Sequence, residues 1–500
     1  MRRLIAALLA AGLLAAAGCG GDDSGSALDS ALSYLPKDTS FAVALDTDTE
    51  GDQYQAVGEL LDKFPFGDRI RDTLLQQLEQ STPGLRFDED VKPVLGNPFV
   101  AGSGTSGSAP GSTDNVIVAM QAKDEGALED LVEKTRARKV GEASGATLYA
   151  DGDTFVAIEG DMVVLADDEA QLKQALERAD GDDHFDEDAF NEGLDGLPDE
   201  ALARVYVDVE ALLKADPSSA DALKVKWVAA LRRLGLTVTA REDAVDVDFR
   251  LPTEGDLTDA DLPIAPGDEA PPVIKREGEI GFGIRDLAHV VKFAENAGQA
   301  IDPAGFGDYA QAKKTIDEQL GVSLDDDLIG QLTGNVSASV SLDGGFGVRG
   351  ELKDPQAFER TLAKVADVLP SFAEGAGFGT VTLSKPGSGE DFYELTQPNG
   401  GTVVFGVVDD VLVVANNRAR ADELASAEPA EVPDAEGSVA LSADAQSLVN
   451  TLIQQFGEAF GIPDLGVLGT GLLTRPLGDL TGYASASTDE LRGKLTLAID

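Results

Sequence analysis

One cysteine, one tryptophan, two histidines and three methionines are all that 500 residues hold of those four types. Each scarcity excludes something. A single cysteine allows no disulfide framework within the chain. Two isolated histidines, His184 and His289, with one thiol fall short of the three or four N and S ligands that zinc takes. Aromatic residues make up 6%. The core is therefore expected to be Val, Leu, Ala and Ile, and Trp227 is expected to pack inside an amphipathic helix over Ala222–Leu234. Positive charge is scarce too. There are 39 Lys and Arg against 90 Asp and Glu, a formal charge of −51. The excess is spread along the chain, so the body repels nucleic acid and anionic headgroups, and a nucleic-acid partner is excluded. The acidity reads as a surface that keeps the protein soluble.

Motifs for chemistry are equally thin. Nothing matches the phosphate-cradling G-x-x-x-x-G-K-[ST]. The run Gly102-Ser103-Gly104-Thr105-Ser106-Gly107 lacks the spacing of a nucleophile elbow, and Gly281-Phe282-Gly283 lacks the rest of a dinucleotide fingerprint. A pair of carboxylates for glycoside cleavage leaves no mark in sequence among so many acids. The one calcium candidate is Asp46, Asp48, Glu50 and Asp52, which carry oxygen at the spacing that opens an EF-hand loop, with Gly51 at the sixth place. The twelfth place is Val57 where a bidentate Glu is required, and Glu59 comes two residues late, so a solvated acidic turn is expected instead. No catalytic residue, cofactor or metal is expected, and the chain reads as non-enzymatic.

What is present starts at the N-terminus. Arg2 and Arg3 precede an apolar run from Leu4 to Ala17, and Gly18-Cys19 follows. About fourteen apolar residues are too few to span a hydrocarbon core, so the run reads as an export signal that is removed. No second run of about eighteen apolar residues follows, and no further transmembrane helix is expected. Leu13-Leu14-Ala15-Ala16-Ala17-Gly18-Cys19 resembles the lipobox of bacterial lipoproteins, with Ala16 where that family usually has Leu. The resemblance implies that residues 1–18 are cut away and that Cys19 carries fatty acyl chains such as palmitate. Two or more chains attach a protein firmly where one binds marginally. Gly20-Gly21-Asp22-Asp23-Ser24-Gly25-Ser26 continues as a polar tether, taken over 19–30.

The rest of the chain repeats itself weakly. Lys123-Asp124-Glu125-Gly126-Ala127-Leu128-Glu129 answers Lys353-Asp354-Pro355-Gln356-Ala357-Phe358-Glu359, each after an alternating strand and each opening a helix. Asp88-Glu89-Asp90-Val91 answers Asp325-Asp326-Asp327-Leu328 upstream. Downstream, the strand at 161–167 answers that at 410–416, and Val205-Tyr206-Val207-Asp208 answers Val439-Ala440-Leu441-Ser442. Period-two alternation marks strands, as in Phe41, Val43, Leu45 and in Val336, Ala338, Val340, Leu342. Helices with three-to-four spacing are expected over 57–63, 68–80 and 354–369. Two copies with one covered sheet face each give an α+β fold: tandem modules of antiparallel sheet covered by helices, at 31–251 and 273–500. Residues 252–272, rich in Asp, Pro and Gly, are expected to link them. Loops are expected at 101–113, 371–379 and 385–389.

Leu35-Pro36-Lys37-Asp38-Thr39 before a strand ending at Asp46 looks like the family catalogued as domain of unknown function 3352. The strand Val205-Tyr206-Val207-Asp208 before a helix is similar too. The resemblance covers nearly the whole chain after the signal. It implies a bacterial envelope protein and brings no catalytic residues. The expectation is a lipid-anchored protein on the extracytoplasmic face of the cell membrane, binding envelope proteins or serving structurally. The alternative is a carrier of lipid or another hydrophobic ligand, with the Gly-rich apolar stretch Phe456–Leu477 lining its cavity. A hydrolase with a dispersed carboxylate site comes third.

Overall fold

A computed structural model describes residues 24–65, 67, 76, 84–104, 115–135, 138–151, 154–342, 344–375, 380–387, 391–398, 400–456, 471 and 474–500. The chain divides into two compact units. The first comprises 1–220, 231–252 and 498–500, and the second 221–230 and 253–497.

The first unit is built on ten strands: β1 (Thr39–Leu45), β2 (Phe99–Gly104), β3 (Ile117–Gln121), β4 (Arg138–Ala143), β5 (Ala146–Asp151), β6 (Thr154–Glu159), β7 (Met162–Ala166), β8 (Ala203–Asp208), β9 (Arg233–Arg241) and β10 (Ala244–Pro252). They pair antiparallel in the order β4-β5-β6-β7-β3-β2-β1-β8-β9-β10. Helices α1 (Ser24–Leu32), α2 (Asp52–Asp62), α3 (Glu125–Thr135), α4 (Glu169–Ala179), α5 (Glu187–Leu194) and α6 (Val209–Ala215) connect or cover them. One core gathers Leu28, Ala31, Leu32 and Leu35 against Ala42, Val100, Ile117 and Leu172. A second forms where Phe87, Val91 and Val94 meet Phe99, Leu128 and Leu131. Burying aliphatic side chains of this kind stabilises by about 1.5–3 kcal/mol each.

The second unit repeats the plan after the short helix α7 (Lys226–Ala230). Its strands are β11 (Glu279–Arg285), β12 (Asn335–Ser341), β13 (Phe346–Glu351), β14 (Thr382–Ser384), β15 (Phe392–Thr396), β16 (Thr402–Val408), β17 (Val411–Ala415), β18 (Val439–Asp444), β19 (Leu477–Ala486) and β20 (Glu490–Ile499). Their order, β14-β15-β16-β17-β13-β12-β11-β18-β19-β20, matches the first unit strand for strand. Helices α8 (Leu287–Ile301), α9 (Pro303–Leu320), α10 (Pro355–Gly375), α11 (Arg418–Ser426) and α12 (Ala445–Phe456) complete it.

Local details repeat as well. Asp208 closes β8 and accepts the N–H of Ala211 at 2.8 Å, and Asp444 closes β18 and accepts that of Ser447 at 2.7 Å. Such caps satisfy donors that a helix N-terminus leaves free. The acidic runs noted in sequence both fold as a single π turn followed by a 3₁₀ turn, over 87–94 and 324–331. The α+β class holds in both units.

Several local expectations are corrected. The tether ends before residue 24, because α1 carries an apolar stripe that buries Ala27, Leu28, Ala31 and Leu32. Residues 253–272 are packed within the second unit and do not form a free linker: Leu262 and Ala265 are buried there. The helix around Trp227 is short, because the chain enters β9 at Arg233. Helix α10 runs on to Gly375 through Pro370, so the loop expected from 371 begins later. The helix expected over 68–80 lies almost wholly outside the described residues.

Candidate binding site

Sheet registers align the two units residue by residue. Phe41 pairs Val207, and Ile280 pairs Ala443, one residue before each capping Asp. Carrying the register outward, Ala42 and Ala44 correspond to Gly281 and Gly283, Val100 and Gly102 to Ser337 and Ser339, and Ile117 to Gly347. These positions share one sheet face. In the first unit the face is apolar and buried, and Leu35 fills the space beside Gly102.

In the second unit the same face is built of glycine and serine, and two things lie on it. The backbone of Pro271–Ile274 crosses it closely: a β-carbon on Gly281 would stand 2.2 Å from the Ile274 carbonyl oxygen. Ser337 Oγ donates to the Pro272 carbonyl at 2.8 Å. Beside that segment sits the Arg420 side chain, 4% exposed. Gly347 makes room for Leu424 and for Arg420, since a β-carbon there would come 2.6 Å from Leu424 Cδ1 and 3.1 Å from Arg420 Nε.

Arg420 belongs to a closed ring of alternating charge. Its Nη2 meets Glu279 Oε2 at 2.6 Å, and Glu279 Oε1 accepts from Arg276 Nη1 at 2.8 Å. Arg276 Nη2 lies 3.6 Å from Glu423 Oε2, and Glu423 Oε1 returns to Arg420 Nη1 at 2.9 Å. Arg420 Nη2 also donates to Ser339 Oγ at 2.5 Å. The Nη1–Glu423 contact is an ion pair without hydrogen-bond alignment. Asn417 caps α11 by accepting the Arg420 N–H at 2.9 Å, which fixes the turn that aims the guanidinium inward.

The ring edges a cavity of about 620 Å³ between the start of β11, the β12–β13 turn and the start of α11. Asn416, Ser341, Thr451 and Phe346 also line it. A shallow, solvent-open surface beside it shares Arg276, Glu277, Gly278 and Thr451 and extends along α12 to Ser447 and Asn450. Together they offer donors and acceptors in alternation. No nucleophile with an adjacent base appears in either lining.

The residues singled out in sequence lie elsewhere. Cys19 is outside the described residues, and so is most of Phe456–Leu477. Asp46 and Asp48 serve the backbone of their own turn, accepting the N–H of Asp48 at 3.0 Å and of Glu50 at 3.1 Å. Asp48 also has Lys123 Nζ at 3.9 Å, and Asp52 opens α2. Among the described residues no group of three or more His, Cys, Asp and Glu is placed to hold a metal. His184 sits in a bridge to Pro36, and His289 Nε2 is 2.9 Å from the Leu262 carbonyl. Trp227 packs edge-on against Phe293, with ring centroids 6.4 Å apart.

Sequence reading missed the ring. Its members stand at 276, 279, 420 and 423, and only the folded sheet brings β11 beside α11. A usable signal was the replacement of apolar strand positions by glycine and serine in the second copy.

Fold and cavity together define a class: a duplicated α+β protein with a polar recess in its second unit. The chain belongs to the family described as protein of unknown function DUF3352, whose model matches residues 4–371. No curated protein matches it. Among solved structures it is similar to crystal forms III, IV and I of TP0453, at 10%, 10% and 11% identity and a TM-score of 0.26 each. Each match covers 46% of this chain and 81%, 83% and 80% of TP0453.

Proposed function

We propose that this is a non-catalytic binding protein of the bacterial cell envelope, held on the extracytoplasmic face of the membrane by acyl chains on Cys19. The observation that carries the anchor is the chain's only cysteine standing directly after a short apolar run headed by two arginines. Two or three acyl chains supply firm attachment to a body that its own charge keeps away from anionic headgroups. Among the described residues no helix is long and apolar enough to cross a membrane, so the anchor carries the whole attachment in this reading. The test is metabolic labelling of the full chain with an alkyne analogue of palmitate in a bacterial host. Label on the wild type and none on Cys19→Ser supports the anchor. An unlabelled wild type, or label that survives in Cys19→Ser, refutes it.

A second reading, a carrier of an acyl chain, is favoured by the other sheet face of the second unit. Ile280, Phe282 and Ile284 are only half-buried there, and Val340 and Leu342 are 41% and 37% exposed. Exposed apolar patches of this kind mark interaction surfaces. Native mass spectrometry of the purified full chain decides: a mass increment of a fatty acid beyond the anchor supports it, and a single unliganded mass removes it.

A further inference from the structure

We infer that each unit is a lipid site, in which an unsealed stretch of one sheet face holds the tails of a zwitterionic phospholipid. The inference rests on the acyl-carrier reading above, extends it to the first unit and names the cargo.

In each unit that sheet face is sealed over some strands and unsealed over others, and the division falls at the same strands. In the first unit α3 seals β3 and β7, where Leu128 and Leu131 meet Met120, Val163 and Leu165, all buried. In the second α10 seals β16, where Phe358, Leu362 and Ala366 bury Phe405. From β1 and β11 onward the sealing stops. Register sets Phe41 beside Val207, Val43 beside Val205, Val205 beside Leu236 and Leu236 beside Phe249, and none of the six is buried. It likewise sets Ile280 beside Val340, Phe282 beside Leu441 and Ile284 beside Val439, again with none buried. Leu495 of β20 joins this face: a β-carbon on Gly482, which pairs Leu441, would stand 2.4 Å from Leu495 Cδ2. Phe41, Val340 and Leu495 are 39%, 41% and 41% exposed. The buried exceptions are Ala240 in the first unit and Val336, Ala443, Ala486 and Ile499 in the second.

Large apolar side chains ordinarily fill the sealed side of a sheet. Here they face the unsealed one, while Ala42, Ala44, Thr237, Ser337 and Ser339 between them are small and buried. The copies differ in what covers the opposite face, yet they agree in leaving this one unsealed. Packing alone does not account for that agreement, and apolar surface of this kind marks an interaction site.

The chemistry of the face selects its occupant. Every second residue at 41–45, 203–207, 234–240 and 245–251 is apolar, counted from the first of each. At 280–284, 336–342, 439–443, 480–486 and 491–499 every second residue is apolar or glycine. Such a face offers no hydrogen bond, so an extended peptide laid on it would bury its own N–H and C=O groups unpaired. A second copy would bring another charge of −51. Hydrocarbon meets neither obstacle. Four strands, β1 and β8–β10, span about 19 Å. One leaflet is about 15 Å of hydrocarbon, half of a core of about 30 Å, so the face covers a lipid tail along its length. No cation on the face could hold the carboxylate of a free fatty acid, and the acidic surface repels anionic headgroups. A phospholipid whose head has no net charge satisfies both conditions.

The experiment is photo-crosslinking of the full chain in phosphatidylcholine vesicles doped with a phosphatidylcholine that carries a diazirine in one tail. Labelled peptides are mapped by mass spectrometry. Label is expected on β1 and β8–β10 and on β11, β12 and β18–β20. Phe41→Asp and Val340→Asp, at positions already exposed, are each expected to cut the label on their own unit tenfold or more and to spare the other unit. Leu495→Asp is a second variant for the second unit, and hydrogen exchange checks that each variant keeps its strands. Label confined to the second unit overturns the inference and leaves the carrier reading standing. Label on neither unit removes both. Label from a diazirine palmitic acid but not from the phospholipid overturns the cargo, as does labelling unchanged in all three variants.

Discussion

The two units carry the same ten-stranded plan and cover one face of it in opposite ways. In the first, Ala42, Ala44, Val100 and Ile117 present methyl groups, and α1 lays Leu28, Ala31 and Leu32 on them. In the second, Gly281, Gly283, Ser337, Ser339 and Gly347 present almost no side chain. An extended segment and one arginine can then approach the sheet directly. A helix needs a standoff of about 10 Å from a sheet, whereas bare backbone lies closer only where side chains are absent. The difference teaches that strand order tolerates exchange of the covering layer, provided the residue size on that face changes with it. Both versions of the face are closed: Ser337 and Ser339 are 3% and 0% exposed, as Val100 and Ala42 are 0%.

Removing the ring's buried member is the strongest way to break this contrast. Arg420→Met leaves Glu279, 10% exposed, without its closest partner. Breaking a buried pair on one side costs about 3–5 kcal/mol. Urea unfolding followed by hydrogen exchange should show that loss in β11–β13 and α11, with the strands of the first unit unaffected. Arg420→Met combined with Glu279→Met should recover most of it, because no charge is then left buried without its partner. A single variant as stable as wild type would mean that the ring carries no structural weight.

The covering helix gives the next largest effect. Leu32 is 0% exposed, so Leu32→Ala should cost about 2–5 kcal/mol. Leu342, 37% exposed on the open side of the second unit, should lose under about 1 kcal/mol on the same change. Denaturant midpoints compare them directly, and equal losses would erase the asymmetry in packing. Gly281→Ala comes third. Its new methyl would meet the Ile274 carbonyl, and displacing that backbone should cost about 1–3 kcal/mol. Ala42→Gly in the first unit should cost no more than about 1 kcal/mol. A harmless Gly281→Ala would show that the crossing segment is not held against the sheet.

Strand periodicity made most of the strands legible but not their buried face: Phe41 and Val340 are 39% and 41% exposed, while the small residues between the large ones, Ala42 and Ala44, and Ser337 and Ser339, are buried. Phe41, Val43 and Leu45, and Val336, Ala338 and Val340, lie on the strands expected of them. The repeated acidic runs were legible as a pair, although nothing in their composition announces a π turn. Helix ends were harder. Leu28 and Leu32 were masked by the polar residues before them, and Pro370 reads as a stop although α10 passes through it. The charge ring was not legible at all. Its members are spread over nearly 150 positions, and in a chain with 90 acids no single glutamate stands out. Only pairing of β11 with β12, and of β13 with β17 ahead of α11, collects them.

The smallest effect tests whether the repeated turns are equivalent. Asp90 Oδ2 accepts the Arg86 N–H at 2.7 Å, and Asp327 Oδ2 accepts the Ser323 N–H at 2.8 Å. Asp90 alone adds a lysine, with Lys134 Nζ 2.5 Å from its Oδ1. Burial pushes the Asp90 carboxyl up, but the Lys134 hydrogen bond and the Arg86 N–H outweigh it and hold the group below its ordinary 3.8. A carboxyl with a depressed folded value stabilises fully above its unfolded value and loses that stabilisation as pH falls through the folded one. Lys134 is half exposed, so the contribution should be about 1 kcal/mol. Wild type should therefore exceed Asp90→Asn by that amount above about pH 5, and the gap should narrow as pH falls below the group's ordinary 3.8. Lys134→Met should remove most of the pH dependence while leaving the Arg86 hydrogen bond in place. A gap that never narrows as acid is added, down to the acid unfolding of the wild type, would mean that the turn is held by geometry alone. The lysine would then make no difference between the two copies.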